Sequence, residues 1–524
     1  MRMTTFVRGL GLAAALVLAG CKSLDIENPN DPDAGRALAD PAAINAVAGG
    51  AVRIWFNTYE GMEGTGPLVT QAQTYSSSWN NFNMNFYSGL DLDGTRNSRS
   101  WQNNPSSAAR TSIEHYWNGY YSVLSLATNV LKAIRINNLV INNAADTRRA
   151  EAVALLMQGA ALSGIALNYD KGYIIDENTD LASLTYSDRK AVRDAAKAKF
   201  DDAIAVASAN AFTTPLGWFG PGSLSYSNTQ IAQLANTMAA ELLAAWPRNN
   251  TEAASNVDWA AVATYAANGI SSGTPFDFKI TGDGTSTWNP EIMLWFVDIS
   301  SGRVHTRIAN QLDPVTQQTP WPLAGNPQPN SPDRRLGDGS FGDASTAAQF
   351  GTTPRTVNGG TDFAWSAVAI FNMARGSYHQ SNIGHIRYDE SGVQDPNGLW
   401  GGVGDAPLYS RQQNDLLWAE ALLMQNTNLA LAATLINNSR VGRGALAPAT
   451  AGEGQTALLA KLRYEQDVEL LGLGPASYYP RRRVAGGLVT GTPREMPVPA
   501  QELGVFGQAL YTWGGATPNS PTPP

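Results

Sequence analysis

The sequence predicts a mainly α-helical protein, built from antiparallel helix pairs with one long irregular, loop-rich stretch between them. Three observations predict it. Apolar residues recur at steps of three and four along several segments, the period of one helix face. Alternating runs of strand length are scarce, so the strand and helix alternation of a doubly wound sheet is missing. From residue 271 to 407, glycine, proline, asparagine and tryptophan mingle without a sustained period.

Taken in order, residues 42–59 carry the first helical spacing. Trp117, Tyr121, Leu124, Thr128 and Leu131 step by four, three, four and three, and so do Leu155, Gly159, Leu162, Ala166 and Tyr169. Ser187 or Asp188 is placed to cap a helix running to about Ser208, and Ile231, Leu234, Met238, Leu242 and Ala245 mark the next. Ser255 and Gly269 bracket another around Trp259 and Tyr265. The period is lost across 271–407, where turn pairs such as Asn289-Pro290 and Asn326-Pro327 recur. A loop region that long in a compact protein is more often functional than accidental. Helical spacing resumes at 411–425, 428–442 and 455–471, and short connections make antiparallel pairs the natural arrangement. The texture suits a degenerate helical-repeat scaffold, although no repeat can be counted from the letters.

Composition excludes several classes. The 524 residues are 43% hydrophobic and 15% charged, which is neither a disordered chain nor a coiled coil. Lys plus Arg is 36 against 44 Asp plus Glu, a net charge of −8, with no basic run to track a phosphate backbone; nucleic acid is not a partner on this reading. A single cysteine makes neither an internal disulfide nor a thiolate zinc site.

That cysteine has a specific setting. Arg2 and Arg8 precede the apolar run from Leu10 to Ala19, too short to span a bilayer but matching a secretory signal. Leu18-Ala19-Gly20-Cys21 resembles a bacterial lipobox, in which the cysteine carries fatty acyl groups such as palmitate and becomes the mature N-terminus. The organisation expected is a signal peptide at 1–20, a lipidated tether at 21–41, an N-terminal helical scaffold at 42–270, a loop-rich ligand-binding region at 271–407, and C-terminal helical pairs with a closing segment at 408–524.

Flat aromatic faces suit the C–H faces of sugar rings, and amide or guanidinium groups suit hydroxyls. Two windows mix them. Tyr75, Trp79, Phe82, Phe86, Tyr87 and Trp101 are interleaved with Asn80, Asn81, Asn83, Asn85, Arg96 and Arg99; Trp288, Trp295 and Trp321 lie near Arg303 and Arg307. The candidate ligand residues are Trp79, Asn80, Arg96, Trp101, Trp288 and Trp321, against the reading that such rings only fill core beneath long loops. Catalytic motifs are weaker. Residues 269–273 (Gly-Ile-Ser-Ser-Gly) fit the letters of a nucleophile elbow but follow a helix, and 337–342 fit a dinucleotide fingerprint in letters only. His379 and His385 lack a zinc spacing, and Asp91-Leu92-Asp93-Gly94 lacks the remaining ligands of a calcium loop. No cofactor, metal or catalytic residue is expected.

Five segments together resemble the SusD/RagB family of outer-membrane nutrient-binding lipoproteins. They are Cys21 with Leu24-Asp25 and its Asn-Pro-rich tail; Trp117-x3-Tyr121 leading to Asn129-Val130-Leu131; the alanine-rich stretch from Arg148 to Asp170; Leu416-Leu417-Trp418-Ala419-Glu420-Ala421 with Leu435-Ile436-Asn437, Arg440 and Arg443; and Leu462-Arg463-Tyr464-Glu465 through Tyr479, Arg481-Arg482-Arg483 and Met496-Pro497-Val498-Pro499 to Glu502. Residues 471–475 depart from the family pattern. The resemblance implies a scaffold of tetratricopeptide-like helix pairs. It also implies a lid-like partnership with a SusC-like, TonB-dependent outer-membrane transporter, and display at the cell surface. The expected protein is a non-catalytic nutrient-binding lipoprotein with an oligosaccharide ligand. Its rivals are a surface glycan hydrolase and a peptide-binding member of the same family.

Overall fold

The computed structural model describes residues 38–88, 99–297, 302–319, 327–337, 360–365, 371, 373–376, 378–388 and 402–515. The signal peptide, Cys21 and most of the tether lie outside them. Helix α1 (Pro41–Glu60) begins where the Asp40 side chain accepts from the Ala42 N–H and Pro41 presets the backbone. After α2 (Met62–Gln71) come α3 (Thr111–Leu131), α4 (Ala144–Asn168), α5 (Arg189–Ala209), α6 (Asn228–Ala245) and α7 (Trp259–Ala267). Asp188 caps α5, as the sequence reading allowed, and Ser227 and Gln230 form a capping box on α6. Ser255 is a correction: it ends a short helix, Asn250–Ser255, and Asp258 caps α7, because its carboxylate reaches the Ala261 N–H.

The helices stack in sequence, α1 on α3, α3 on α4, α4 on α5, α5 on α6 and α6 on α7. The chain then leaves the stack. It passes through α8 (Thr306–Leu312) and returns with α9 (Arg411–Met424), α10 (Leu429–Arg440) and α11 (Gly454–Glu469), α9 packing on the same α7 from which it departed. A short helix, α12 (Ala500–Val505), lies in the closing segment.

Helix α4 is the axis of the scaffold. It is long and apolar enough to cross a membrane, yet the stretch that qualifies is 94% buried, which is the signature of a core helix hydrophobic on all sides. Alanine and glycine let its neighbours approach closely: a Cβ on Gly159 would stand 2.6 Å from the Phe200 ring, and one on Gly164 2.3 Å from that of Tyr120.

Strands are short, but they matter more than their sequence signal suggests. β1 (Tyr75–Ser76) pairs with β3 (Arg303–Val304), and β2 (Phe278–Asp283) pairs antiparallel with β7 (Val403–Tyr409). Leu336–Gly337, Phe363–Trp365 and Ile383–His385 (β4, β5 and β6) form a three-stranded sheet. The β2–β7 ladder joins the two ends of the irregular region, so the excursion from the stack is closed at its base. Alternate residues of β2 are buried, and Phe278-Lys279-Ile280-Thr281 does carry the period-two pattern. A second core packs the excursion onto α2, with Met62, Val69 and Tyr75 from one side and Phe296, Ile308, Phe363 and Ile383 from the other.

Residues 471–475, where the sequence departs from the family pattern, end α11 in a tight turn. Gly472 and Gly474 take φ of 78° and 50°, and a Cβ on Gly474 would meet the Tyr59 ring at 2.3 Å. Gly269-Ile270-Ser271-Ser272-Gly273 is the turn after α7, with the Gly269 N–H bonded to the Ala266 carbonyl and no strand before it.

Glu241 on α6 is buried where α6 meets β7 and α9, accepting from the Tyr409 hydroxyl at 2.8 Å and the Gln413 amide at 2.9 Å. Burial pushes its carboxyl from 4.5 up to about 7, against the opposing pull of those two bonds and Arg483. A carboxyl with a raised folded-state pKa favours the fold when protonated. That contribution is full below about pH 4.5 and is lost as pH rises to about 7. Glu241→Gln keeps the shape without the charge, so the variant should gain on the parent as pH goes from 5 to 8, by roughly 3 kcal/mol at most. Urea unfolding of both proteins at the two pH values checks it; an unchanged difference would mean the carboxylate is well solvated.

Candidate ligand site

The loop after β1 is fixed from both sides. Tyr75 is buried, its ring stacked on Phe296 with centroids 4.2 Å apart and its hydroxyl 2.7 Å from His385 Nδ1. Ser77 Oγ accepts from the Trp79 N–H at 3.0 Å, and its carbonyl accepts from Asn85 Nδ2 at 3.1 Å. Asn80 Oδ1 accepts from the Phe86 N–H at 2.9 Å. Phe82 and Asn83 sit in the left-handed region at φ 53° and 57°, a conformation that costs energy for residues with a Cβ and persists only where surroundings enforce it. Here Phe82 packs edge-on against Trp295 and Asn83 donates to Thr111 and Ser112.

This loop carries Trp79 and Asn80 to the surface, with Trp79 43% exposed. The facing wall comes from residues 373–376 and 378–380. Ser76 Oγ bonds the Tyr378 carbonyl, Tyr378 and His379 hold φ of 44° and 57°, and the Thr306 N–H bonds the His379 carbonyl at 2.8 Å. From this wall the Arg375 guanidinium lies over the Trp79 ring, 3.9 Å from its centroid, with Nε near the Ser78 carbonyl at 3.5 Å. The result is an exposed indole, a guanidinium on it and an amide beside it, on backbone that cannot relax cheaply.

The other predicted residues fall elsewhere. Trp101 is 2% exposed; its Nε1 donates to the Glu495 carbonyl at 2.9 Å and its ring packs 4.5 Å from Tyr87. Trp288 is 8% exposed and packs against Phe56 in the main core. Both rings are occupied by the protein itself, as large apolar groups beneath long loops often are. Arg96 and Trp321, like Cys21, Asp91 and Asp93, lie outside the described residues. Arg307 is engaged by Asp467 through two bonds of 2.7 and 3.1 Å. His385 is a buried core residue, which burial and the charges of Arg387 and Arg443 push down to about 3. Among the described residues no group of three or more His, Cys, Asp or Glu is placed to hold a metal.

A larger concavity of about 830 Å³ lies along α3, lined by Trp117, Tyr121, Tyr173, Leu184 and Glu502. Trp117 and Tyr173 are 3% and 7% exposed there, and the hydroxyls of Tyr121 and Tyr173 are bonded to Tyr173 backbone and to Glu502, so it lacks an open platform like Trp79. Arg375 is the site residue that sequence reasoning missed. Its partner ring is almost three hundred positions away, and the pairing of β1 with β3, with Ser381 joined to Val304 and Ser76 to Tyr378, brings the two together.

No family model and no curated protein matches the sequence. Solved structures do match the fold. A SusD-like carbohydrate binding protein from Bacteroides fragilis aligns with a TM-score of 0.55 at 12% identity, over 85% of this chain and 86% of its own. A SusD superfamily protein from Bacteroides vulgatus gives 0.54 at 10% identity over 86% and 89%. The chain has the SusD fold. A SusD homolog from Bacteroides thetaiotaomicron extends the likeness to 91% of this chain and 97% of its own, at a TM-score of 0.53 and 13% identity. Identities this low show a shared backbone path. The SusD fold therefore accounts for the helical stack and its excursion, while the role of Trp79 and Arg375 rests on their own geometry.

Proposed function

We propose that this protein is a non-catalytic nutrient-binding lipoprotein of the outer membrane that captures an oligosaccharide and delivers it to a SusC-like, TonB-dependent transporter. The observation that carries the reading is the exposed Trp79 indole, held with Asn80 on a braced loop of a SusD fold. An exposed ring on rigid backbone offers a sugar its C–H contact without an ordering cost. The lipobox-like run ending at Cys21 supports a lipid anchor, which keeps the binder at high local concentration beside a barrel in the same membrane. Two of the solved structures sharing this fold are described as SusD-like carbohydrate binding proteins, which supports a glycan as the ligand class.

Trp79→Ala should lower affinity for a bound oligosaccharide by about tenfold or more, the range of a lost aromatic contact, while the melting temperature stays within about 1 °C. Calorimetric titration and thermal melts of the same preparations check both. A fall of several degrees would make Trp79 a structural residue and remove the site. Detergent extraction followed by gentle purification should recover a TonB-dependent barrel in near-equal amount, and catalytic release of sugar from any bound glycan would return the hydrolase reading.

A further inference from the structure

We propose that the ligand of the Trp79 site is an acidic oligosaccharide, whose carboxylate or sulfate ester is held by Arg375 while a sugar ring rests on the indole. The inference builds on the binding role above and narrows the ligand class. Among the described residues three arginines in or near the excursion are neutralised, Arg307 by Asp467, Arg387 by Glu469, and Arg443 by Asp362 and Glu469, whereas the exposed Arg334, like Arg375, is not. Arg375 is exposed, and among the described residues no carboxylate lies within ion-pair distance of it. Its Nε is turned to the Ser78 carbonyl, which leaves the Nη1 and Nη2 edge for a ligand. A guanidinium stacked on an aromatic face keeps its plane of N–H donors, and that fork matches the paired oxygens of a carboxylate or sulfate.

The side chains at the rim point the same way. Asn80 Oδ1 already accepts one bond, from the Phe86 N–H, while its Nδ2 donor remains for a ligand. With the Nη groups of Arg375 this makes a donor-rich rim. Neutral sugars present hydroxyls that both donate and accept, and a site for them gains from carboxylate acceptors; a rim of donors matches groups that only accept. The chain carries a net charge of −8, so its overall field does not draw anions in. Recognition therefore depends on this short-range contact. Even beneath the guanidinium Trp79 remains 43% exposed, enough to receive a ring beside the charged group.

The test is calorimetric titration of the full-length, detergent-solubilised protein with two probe pairs: an oligogalacturonate and its carboxyl-reduced form, and a sulfated galactan oligosaccharide and its desulfated form. The expected result is that at least one acidic probe binds and its neutral counterpart binds about tenfold or more weakly, the scale of a charge-assisted hydrogen bond. The pair that shows the gap separates carboxylate from sulfate. Arg375→Gln should close the gap, and Arg375→Lys should narrow it, because an ammonium keeps the charge without the fork. Equal binding of acidic and neutral forms, or an Arg375→Gln protein that keeps the gap, overturns the acidic ligand and leaves the glycan-binding role standing. Failure of all four probes, with a neutral glucan or xylan oligosaccharide failing as well, overturns both.

Discussion

Arg335→Ala is expected to destabilise the protein by about 3–5 kcal/mol, the range found when one member of a buried ion network is removed. Arg335 is 0% exposed. Its Nε and Nη2 grip Asp333 at 3.0 and 2.7 Å, and its Nη1 is shared among Ser439, Glu465 and Glu469 at 3.0, 2.8 and 3.0 Å. Around it Arg387 and Arg443 bind Glu469 and Asp362, and Arg440 approaches Glu465 at 3.6 Å. Four guanidinium groups thus face four carboxylates, and the buried cluster closes to zero net charge. Removing Arg335 strands Asp333 without its guanidinium partner, which leaves the cluster as a whole one positive charge short. A carboxylate in that position is far costlier than the Coulomb energy lost from one pair.

The cluster also fixes where the effect appears. Asp333, Arg335, Asp362 and Arg387 belong to the excursion, whereas Ser439, Arg440, Arg443, Glu465 and Glu469 belong to the helical stack. Limited proteolysis should therefore cut the Arg335→Ala protein first between residues 278 and 409, before α4 is touched. Urea unfolding measures the total loss. A double-mutant cycle with Asp333→Asn should recover part of it, because the second change removes the stranded negative charge. A loss under about 1 kcal/mol would mean that water reaches the cluster and screens it.

The helical stack was legible in the sequence because each helix writes its own signal: the apolar steps of α3, α4 and α6, the Asp188 cap of α5 and the paired pattern of α9 and α10 all lie within about twenty residues. The β2–β7 ladder was not, because its strands are separated by more than a hundred residues and Gly404 and Pro407 dilute the alternation of β7. The candidate site divides on the same principle. Trp79 and Asn80 stand in an aromatic and amide window that composition alone can find. Trp101 and Trp288 carry the same local signal and are core, since burial is decided by partners such as Glu495 and Phe56 that no short window contains. Arg375 has no local signal at all. Its meaning arises only when two loops are brought face to face.

Arg482→Ala should be the most damaging single change outside the excursion, with a loss above about 4 kcal/mol. A helix ends with carbonyls that have no partner in the helix, and where such an end is buried, something other than water must satisfy them. The ends of α4 and α6 meet in the interior. Arg482, 1% exposed, donates from Nη1 to the Leu167 carbonyl at 2.8 Å and the Arg494 carbonyl at 2.9 Å, and from Nη2 to the Ala245 carbonyl at 2.8 Å. Arg248 completes the arrangement, reaching the Ala166, Tyr169 and Trp246 carbonyls and the Glu495 carboxylate. A cation at a helix C-terminus also opposes the dipole there. Burial and the nearby Arg248 charge push Arg482 down to about 9, still high enough to keep it protonated at neutral pH. Alanine would leave the buried Leu167 and Ala245 carbonyls without the guanidinium, each costing about 1–3 kcal/mol, along with an empty space the size of the side chain. Lysine separates the two parts of the argument: it keeps a charge near both helix ends, but a single ammonium cannot span the carbonyls that the fork bridges, so Arg482→Lys should recover less than half of the loss. Urea midpoints of the three proteins decide it. If alanine costs no more than about 1 kcal/mol, water can enter and cap both helices, and the closing segment around Arg494 is then a cover for the scaffold and not part of its core.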